Sequence, residues 1–195
     1  MTKQKIIQDV RKRLLELSSG VFTDEDLILW ADNAQTEISQ EFLSQDRIKS
    51  AVLTFTDGEA DLPSDFLSFY HAENGFVWVN LEDFKRDVFS NMLARKENKV
   101  LIKPANTSSV VLWYFKKPKS FGLLSDTEEP ELPSLLHEGI VLGTVSRAYE
   151  MMQEFEISNL YLQKYRAFVE MAKRSISHLE ERGEVMQKFR DIKLF

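Results

Sequence analysis

There is no cysteine anywhere in the 195 residues, which excludes disulfide frameworks, thiolate metal sites and cysteine nucleophiles outright. Glycine is scarce at seven residues. None stands in the Gly-x-x-x-x-Gly-Lys spacing whose backbone amides cradle a phosphate. Gly-x-Ser-x-Gly, the turn that presents a serine nucleophile, is missing too. His71, His137 and His178 lie far apart, without His-x-x-x-His or His-Glu-x-x-His spacing, so they read as surface or helix-capping residues rather than metal ligands. No cofactor, metal or catalytic set is expected, and the chain does not read as an enzyme. No apolar run approaches the roughly 20 residues that a helix needs to cross a bilayer. The first fifteen residues interleave Lys3, Lys5, Asp9, Arg11, Lys12 and Arg13 with apolar positions, unlike a signal peptide. A soluble protein made in a cytoplasm is expected, with no membrane partner. Positive charge is in deficit: 25 Lys and Arg stand against 31 Asp and Glu, for a net charge of −6. That argues against a dedicated nucleic-acid binder, which needs a basic face, while allowing one local basic patch.

What the chain does contain is ordinary globular material, 43% hydrophobic and 29% charged, enough for one sizeable core or a main domain with an appendage. Ile6, Val10, Leu14 and Leu17 fall at helical spacing, predicting a helix over Lys3–Leu17 that Gly20 would cap. Thr23 and Asp26 have the spacing of a capping box, with Phe22 placed to staple onto Leu27. The stripe Leu27, Trp30, Ala34, Ile38, Phe42 carries that second helix to about Leu43. The period then changes to two. Leu53 and Phe55 alternate with Val52 and Thr54, and Asp57-Gly58 is a two-residue hairpin turn. Asn74-Gly75 is a second turn before a strand at Phe76–Val79. Asn80 is placed to cap a short helix with Phe84, Val88 and Met92 inward. Val100–Ile102 and Val110–Phe115 read as paired strands, the latter apolar on both faces and so covered on both.

After an acidic loop over Ser120–Pro130, Pro133 fits the first turn of a helix. Leu135, Leu142 and Tyr149 share one of its faces, with Leu136 and Ile140 beside it. Ile157, Tyr161, Tyr165, Phe168, Ala172 and Leu179 continue a helical stripe. A turn near Glu154–Ser158 is preferred, because one unbroken helix to Leu179 would be about 70 Å long. Gly183 suits a helix end. The expected class is therefore α+β, mainly α: a helical bundle from 1–49 and 131–182, a small antiparallel β subdomain inserted over 50–130, and a C-terminal docking tail at 183–195.

Charged and aromatic clusters have bland readings beside sharper ones. Asp24, Glu25 and Asp26 occupy a first helical turn, where negative charge is favourable without any function. Asp126, Glu128, Glu129 and Glu131 read as a solvated loop; repeated around a ring they would instead repel phosphates. Trp113-Tyr114-Phe115-Lys116-Lys117-Pro118-Lys119 sets stacking rings beside three cations, which makes Lys116, Lys117 and Lys119 weak candidates for DNA contact. The competing reading is a buried strand with a solvated end, since alternation sends neighbouring rings to opposite faces. The tail holds Phe189, Ile192, Leu194 and Phe195 among Lys188, Arg190 and Lys193, an apolar stretch in need of cover.

Four segments taken in order resemble the head-to-tail connector, or portal adaptor, proteins of tailed bacteriophages. They are Phe22–Trp30 followed by Asn33-Ala34-Gln35…Ile38, then Asp61-Leu62-Pro63-Ser64-Asp65-Phe66, then Val111–Pro118, and finally Glu131-Leu132-Pro133, His137 and Arg147-Ala148-Tyr149-Glu150. The resemblance implies a virion structural protein at the head–tail junction, synthesised in the host bacterial cytoplasm. It implies copies joined in a ring, usually twelvefold, beneath the portal protein. Such a ring extends the channel for DNA, without sequence preference, and offers a platform to the next tail protein. The family carries no catalytic residues, and its C-terminal extensions contact the portal, which would give Phe189, Ile192, Leu194 and Phe195 that role. A nucleic-acid-binding accessory protein using Trp113–Lys119 is the alternative.

Overall fold

The computed structural model describes residues 1–14, 21–43 and 47–192, with side chains through residue 175. Helices and sheets both occur, in two compact units: Met1–Phe42 with Pro118–Phe195, and Leu43–Lys117.

The first unit is helical. Helix α1, Lys3–Arg13, starts at Thr2, whose hydroxyl accepts from the Lys5 amide at 3.3 Å. Leu17 and Gly20, assigned to its end from sequence, lie outside the described residues. Helix α2, Asp24–Glu41, opens on the expected capping box: the Asp26 amide donates to Thr23 Oγ1 at 3.2 Å and the Thr23 amide to Asp26 Oδ2 at 3.0 Å. Phe22 packs edge-on against Trp30, ring centroids 4.8 Å apart. Pro133 leads into a 3₁₀ turn, Ser134–Leu136, that runs straight into α4, His137–Met151. The tighter turn, three residues instead of 3.6, rotates Leu135 off the inner face where spacing placed it. Leu135 is 45% exposed, while Leu136 and Ile140 are fully buried.

Helix α5, Phe155–Ile192, folds back along α4. The preferred hairpin is present, and its turn explains why no glycine marks it. Gln153 takes the left-handed conformation, φ 63°. The Glu154 amide reaches the Tyr149 carbonyl (3.0 Å) and the Gln153 amide the Glu150 carbonyl (3.0 Å), closing a Schellman motif on a non-glycine residue. By contrast α5 passes through Gly183 without ending, so the expected cap there is corrected. Tyr149 stacks on Tyr161 at 5.7 Å, and Ser146 and Ser158 exchange hydroxyl-to-carbonyl bonds of 3.0 and 2.9 Å, so the helices are antiparallel. Ile6, Val10, Leu27, Ile38, Leu136, Ile140 and Ala172 lie in one core. The acidic stretch after Pro118 belongs to this unit, further back along the chain than the expected boundary at 130. Phe121, Leu124 and Leu132 are buried in the helical core, and Asp32 on α2 accepts from the Phe121 amide at 2.6 Å.

Among its described residues the second unit holds seven strands in two sheets. Strands β1 (Ile48–Thr54), β7 (Ser109–Lys116) and β3 (Phe66–Ala72) form one, with β7 central and antiparallel to both neighbours. Strands β2 (Glu59–Asp61), β6 (Lys99–Lys103), β5 (Met92–Lys96) and β4 (Val77–Val79) form the other. The subdomain is not wholly antiparallel, because β4 runs parallel to β5. Nor do Val100–Ile102 and Val110–Phe115 pair, since β6 and β7 lie in different sheets. Asp57-Gly58 does make the tight turn, with φ 52° and 79°. Thr56 and Glu59 exchange both backbone bonds, and the strands then part, β1 to one sheet and β2 to the other. Leu53, Leu112 and Tyr114 of the first sheet share a core with Leu93, Val100 and Ile102 of the second. Helix α3, Leu81–Lys85, is capped by Asn80, whose Oδ1 accepts from the Asp83 amide at 2.8 Å; its Phe84 covers Met92 and Ala94 on the second sheet's other face. Val88 is 50% exposed rather than inward, because α3 ends before it.

Helix α4 approaches α2 and α5 through two glycines. A Cβ on Gly143 would stand 3.0 Å from Ala34 Cβ, and one on Gly139 would stand 2.9 Å from Ile38 Cδ1 and 3.3 Å from a Phe168 ring carbon. Ala34 Cβ cannot yield without its helix moving, so Gly143→Ala should lower stability by about 1–3 kcal/mol despite the better helix propensity of alanine. Urea denaturation followed by far-UV circular dichroism would measure it; an unchanged or higher midpoint would show that the helices part freely.

Candidate functional site

The segments that carry the family likeness turn out to be structural locks. In Asn33-Ala34-Gln35 each residue serves a different face of α2. Ala34 meets α4 at Gly143, Gln35 is fully buried and donates from Nε2 to the Lys119 carbonyl at 2.9 Å, and Asn33 lines an open groove. In Leu62-Pro63-Ser64-Asp65-Phe66, the Phe66 amide turns back to the Pro63 carbonyl at 2.9 Å. That turn presents Asp65 to two strands at once. Its Oδ1 accepts from the Tyr114 hydroxyl on β7 and its Oδ2 from the Lys49 ammonium on β1, both at 2.7 Å, while its carbonyl accepts from the Lys117 amide. Burial pushes the Asp65 carboxyl up, but the bonds from Lys49 and Tyr114 outweigh it and hold the group below the usual carboxylate range. Burial, reinforced by Asp65, raises the Tyr114 phenol to about 12. Phe66 stacks on Tyr114 and on Trp78, which also stacks on Phe69.

The aromatic and basic segment is thus mostly interior. Tyr114 and Phe115 are buried and Trp113 is half-buried beside His71, so these rings present no open stacking platform. Lys116 ends β7 and Lys117 follows it in the sheet unit; Lys117 is exposed and Lys116 half-buried. Lys119 belongs to the helical unit, where its ammonium meets both oxygens of Glu128 at 2.7 and 3.0 Å. That contact, then the Ser125 amide, lowers the Glu128 carboxyl below its ordinary range. The acidic loop is accordingly tied down, with Glu131 accepting from the Lys119 amide at 3.0 Å and Glu129 3.3 Å from the terminal ammonium. Asp24 pairs with Arg11 at 2.6 Å, an exposed helix-start contact of modest worth.

Among the described residues no group of three or more His, Asp or Glu is arranged to hold a metal, and no helix is long and apolar enough to cross a membrane. His71 is exposed, and the His178 side chain lies outside the described residues. His137 is fully buried at the start of α4. Its Nε2–H donates to the Leu132 carbonyl at 2.8 Å, leaving Nδ1 to accept from the Met1 ammonium.

The surface features best suited to a partner lie on the helical unit and escaped the sequence reading. Around the α4–α5 turn Met151, Phe155 and Leu160 are 57%, 60% and 50% exposed. Beside them a groove with a volume of about 500 Å³ runs between α2, α4 and α5, lined by Trp30, Glu37, Gly143, Glu150, Phe155 and Leu162. No apolar periodicity marks it, because small and polar residues such as Asn33, Gly143, Ser146 and Asn159 make up much of its lining. Of the expected docking residues, Phe189 and Ile192 fall on the backbone of α5, while Leu194 and Phe195 lie outside the described residues.

The family model described as SU10 adaptor protein matches residues 1–185. The chain belongs to this family of phage head–tail adaptors, structural components of the virion rather than enzymes. No curated protein matches it.

Two substitutions test the locks. Asp65→Ala should destabilise the sheet unit by about 1–3 kcal/mol, because the buried Tyr114 hydroxyl loses its acceptor, whereas Tyr114→Phe removes both the donor and the need, for about 1 kcal/mol. Additive effects in the double variant would show that the two groups are not coupled. For His137, burial above all lowers the ring's pKa below its ordinary value of 6.5, with the adjacent Met1 ammonium adding to this. The unfolded chain then binds the proton more readily. The resulting stability is complete above pH about 6.5 and is lost as pH falls through the folded-state pKa. His137→Gln should flatten the dependence of the denaturation midpoint between pH 7 and 5; an unaltered slope would assign it to other groups.

Proposed function

We propose that the protein forms a ring of twelve copies beneath the portal vertex. There it extends the channel through which DNA passes and presents a platform to the next tail component. The observation that carries this reading is the family match over nearly the whole chain. The exposed apolar residues of the helical unit support it, since a ring needs two unlike patches per subunit that complement each other and close. The tail with Phe189, Ile192, Leu194 and Phe195 serves as the docking element toward the portal. DNA passes without being read, and exposed Lys117 is the best placed of the three lysines to meet phosphates. Subunits stay monomeric until the portal offers a template.

Particles assembled without this polypeptide should contain filled or leaking heads with no tails in electron micrographs. Tailed, infectious particles from that deletion would rule the joining role out. Sedimentation of the purified chain should show monomer, shifting to a large assembly on addition of portal.

A further inference from the structure

We infer that the free edge of β1 receives an extended strand of a different protein, apolar at alternate positions, which lengthens the first sheet by one strand. The inference rests on the ring reading and names where on each subunit a second kind of protein takes hold. The helical unit offers exposed apolar side chains; what the sheet unit offers is backbone.

Each sheet ends in two edge strands, and an unprotected edge is a template for further pairing. Three of the four edges among the described residues are protected. Strands β2 and β4 are only three residues long. The register of β3 against β7 shifts twice, between Phe66 and Ser68 and between Phe69 and His71, and such irregularities bend a strand away from a new neighbour. Strand β1 has none of these devices. Its seven residues run against β7 in unbroken register, from Ile48 opposite Phe115 to Thr54 opposite Ser109. It contains no proline, and its lysine, Lys49, is tied to Asp65 at 2.7 Å. Among the described residues β7 is its only ladder partner, so its other side presents backbone amides and carbonyls at the spacing of a strand. An extended polypeptide matches that row, the mode called strand addition.

Side chains beside the edge give the added strand its character. Ala51 and Leu53 face the core, so Ser50 and Val52, opposite Trp113 and Val111, stand on the sheet's other face. Val52 is 67% exposed there, and an apolar residue on the new strand covers it. Charge sets no further demand. Leu43–Lys117 holds ten Lys and Arg and ten Asp and Glu, which leaves the whole net charge of −6 on the helical unit. A second copy does not fit as the occupant. Strand β1 laid on β1 is an isologous contact that joins two copies and stops, whereas a ring needs contacts that repeat head to tail. The other described edges of a copy are the protected ones. The strand therefore comes from a different polypeptide.

Backbone hydrogen exchange over residues 48–54, read by mass spectrometry, tests this in the full-length chain, free and in junctions purified from assembled particles. In the junction these amides should exchange roughly tenfold slower than in the free chain, the effect of about one added hydrogen bond per outward amide. Ser50→Lys combined with Val52→Lys should remove that protection, because edge lysines oppose a new strand, and Val52→Thr should keep it. Both positions are exposed, so the sheet tolerates the lysines. Protection that survives them reflects simple coverage and overturns the inference. A photo-reactive residue placed at Thr54, also exposed, should couple to a different protein in the particle; coupling to a second copy overturns the inference too. Rings in micrographs whose β1 amides stay unprotected overturn the edge contact and leave the ring standing. Protected amides in a junction that holds no closed ring keep the contact and overturn the ring.

Discussion

The close approach of α4 to α2 and α5 through Gly139 and Gly143 is the constraint on which the helical unit rests. With no side chain at either position, Ile38 and Phe168 fill the space over Gly139, and Ala34 and Tyr165 that over Gly143. The buried Ile140 and Val145 on the same helix, and Leu136 in the turn before it, then reach the shared core, each contributing about 1.5–3 kcal/mol by leaving water. The groove borders the same contact, since Gly143, Ala34 and Tyr165 are all among its lining residues. One local feature thus sets the packing of the bundle and adjoins its groove.

The sheet unit solves a different problem. Its strands come from distant parts of the insertion, and the Asp57-Gly58 turn sends two successive strands into different sheets. Asp65 ties the first sheet at one end, binding Lys49 on β1 and Tyr114 on β7 while its own residue leads into β3. A single carboxylate therefore fixes all three strands of that sheet against one another. The carboxylate also gives the buried Tyr114 hydroxyl an acceptor, without which the group would be costly to bury. The likeness to a family at this step reflects a geometric need, with no chemistry of bond making attached.

Local signals were legible where one segment decides its own fate. The Thr23–Asp26 capping box, the Asn80 cap and the Asp57-Gly58 turn all depend on residues within four of each other, and each was readable from sequence. Strand partners were not, because Val100–Ile102 and Val110–Phe115 look alike to any rule that counts adjacent runs, and their pairing is decided by distant strands. Gln153 in a left-handed conformation left no mark, and Gly183 left a false one. The groove was invisible for a further reason: much of its lining is small and polar residues from three helices, and these carry no periodic apolar signal. Exposed Met151, Phe155 and Leu160 fell outside the stripes read from sequence, and apolar spacing alone does not tell a face that meets its own chain from one open to water.

Net charge constrains how such a protein can assemble. At −6 per chain, copies repel one another once they approach within the screening length, about 8 Å at physiological ionic strength, beyond which salt masks their charge. Association must then be won by short-range matching of apolar and oppositely charged surfaces, because long-range attraction between identical acidic chains is unavailable. Pairing of Lys119 with Glu128 removes one pair of charges from that matching and stiffens the acidic loop on its own unit. What the helical unit leaves exposed for such matching is the apolar cluster of Met151, Phe155 and Leu160 around the α4–α5 turn, where burial of area acts only at contact distance.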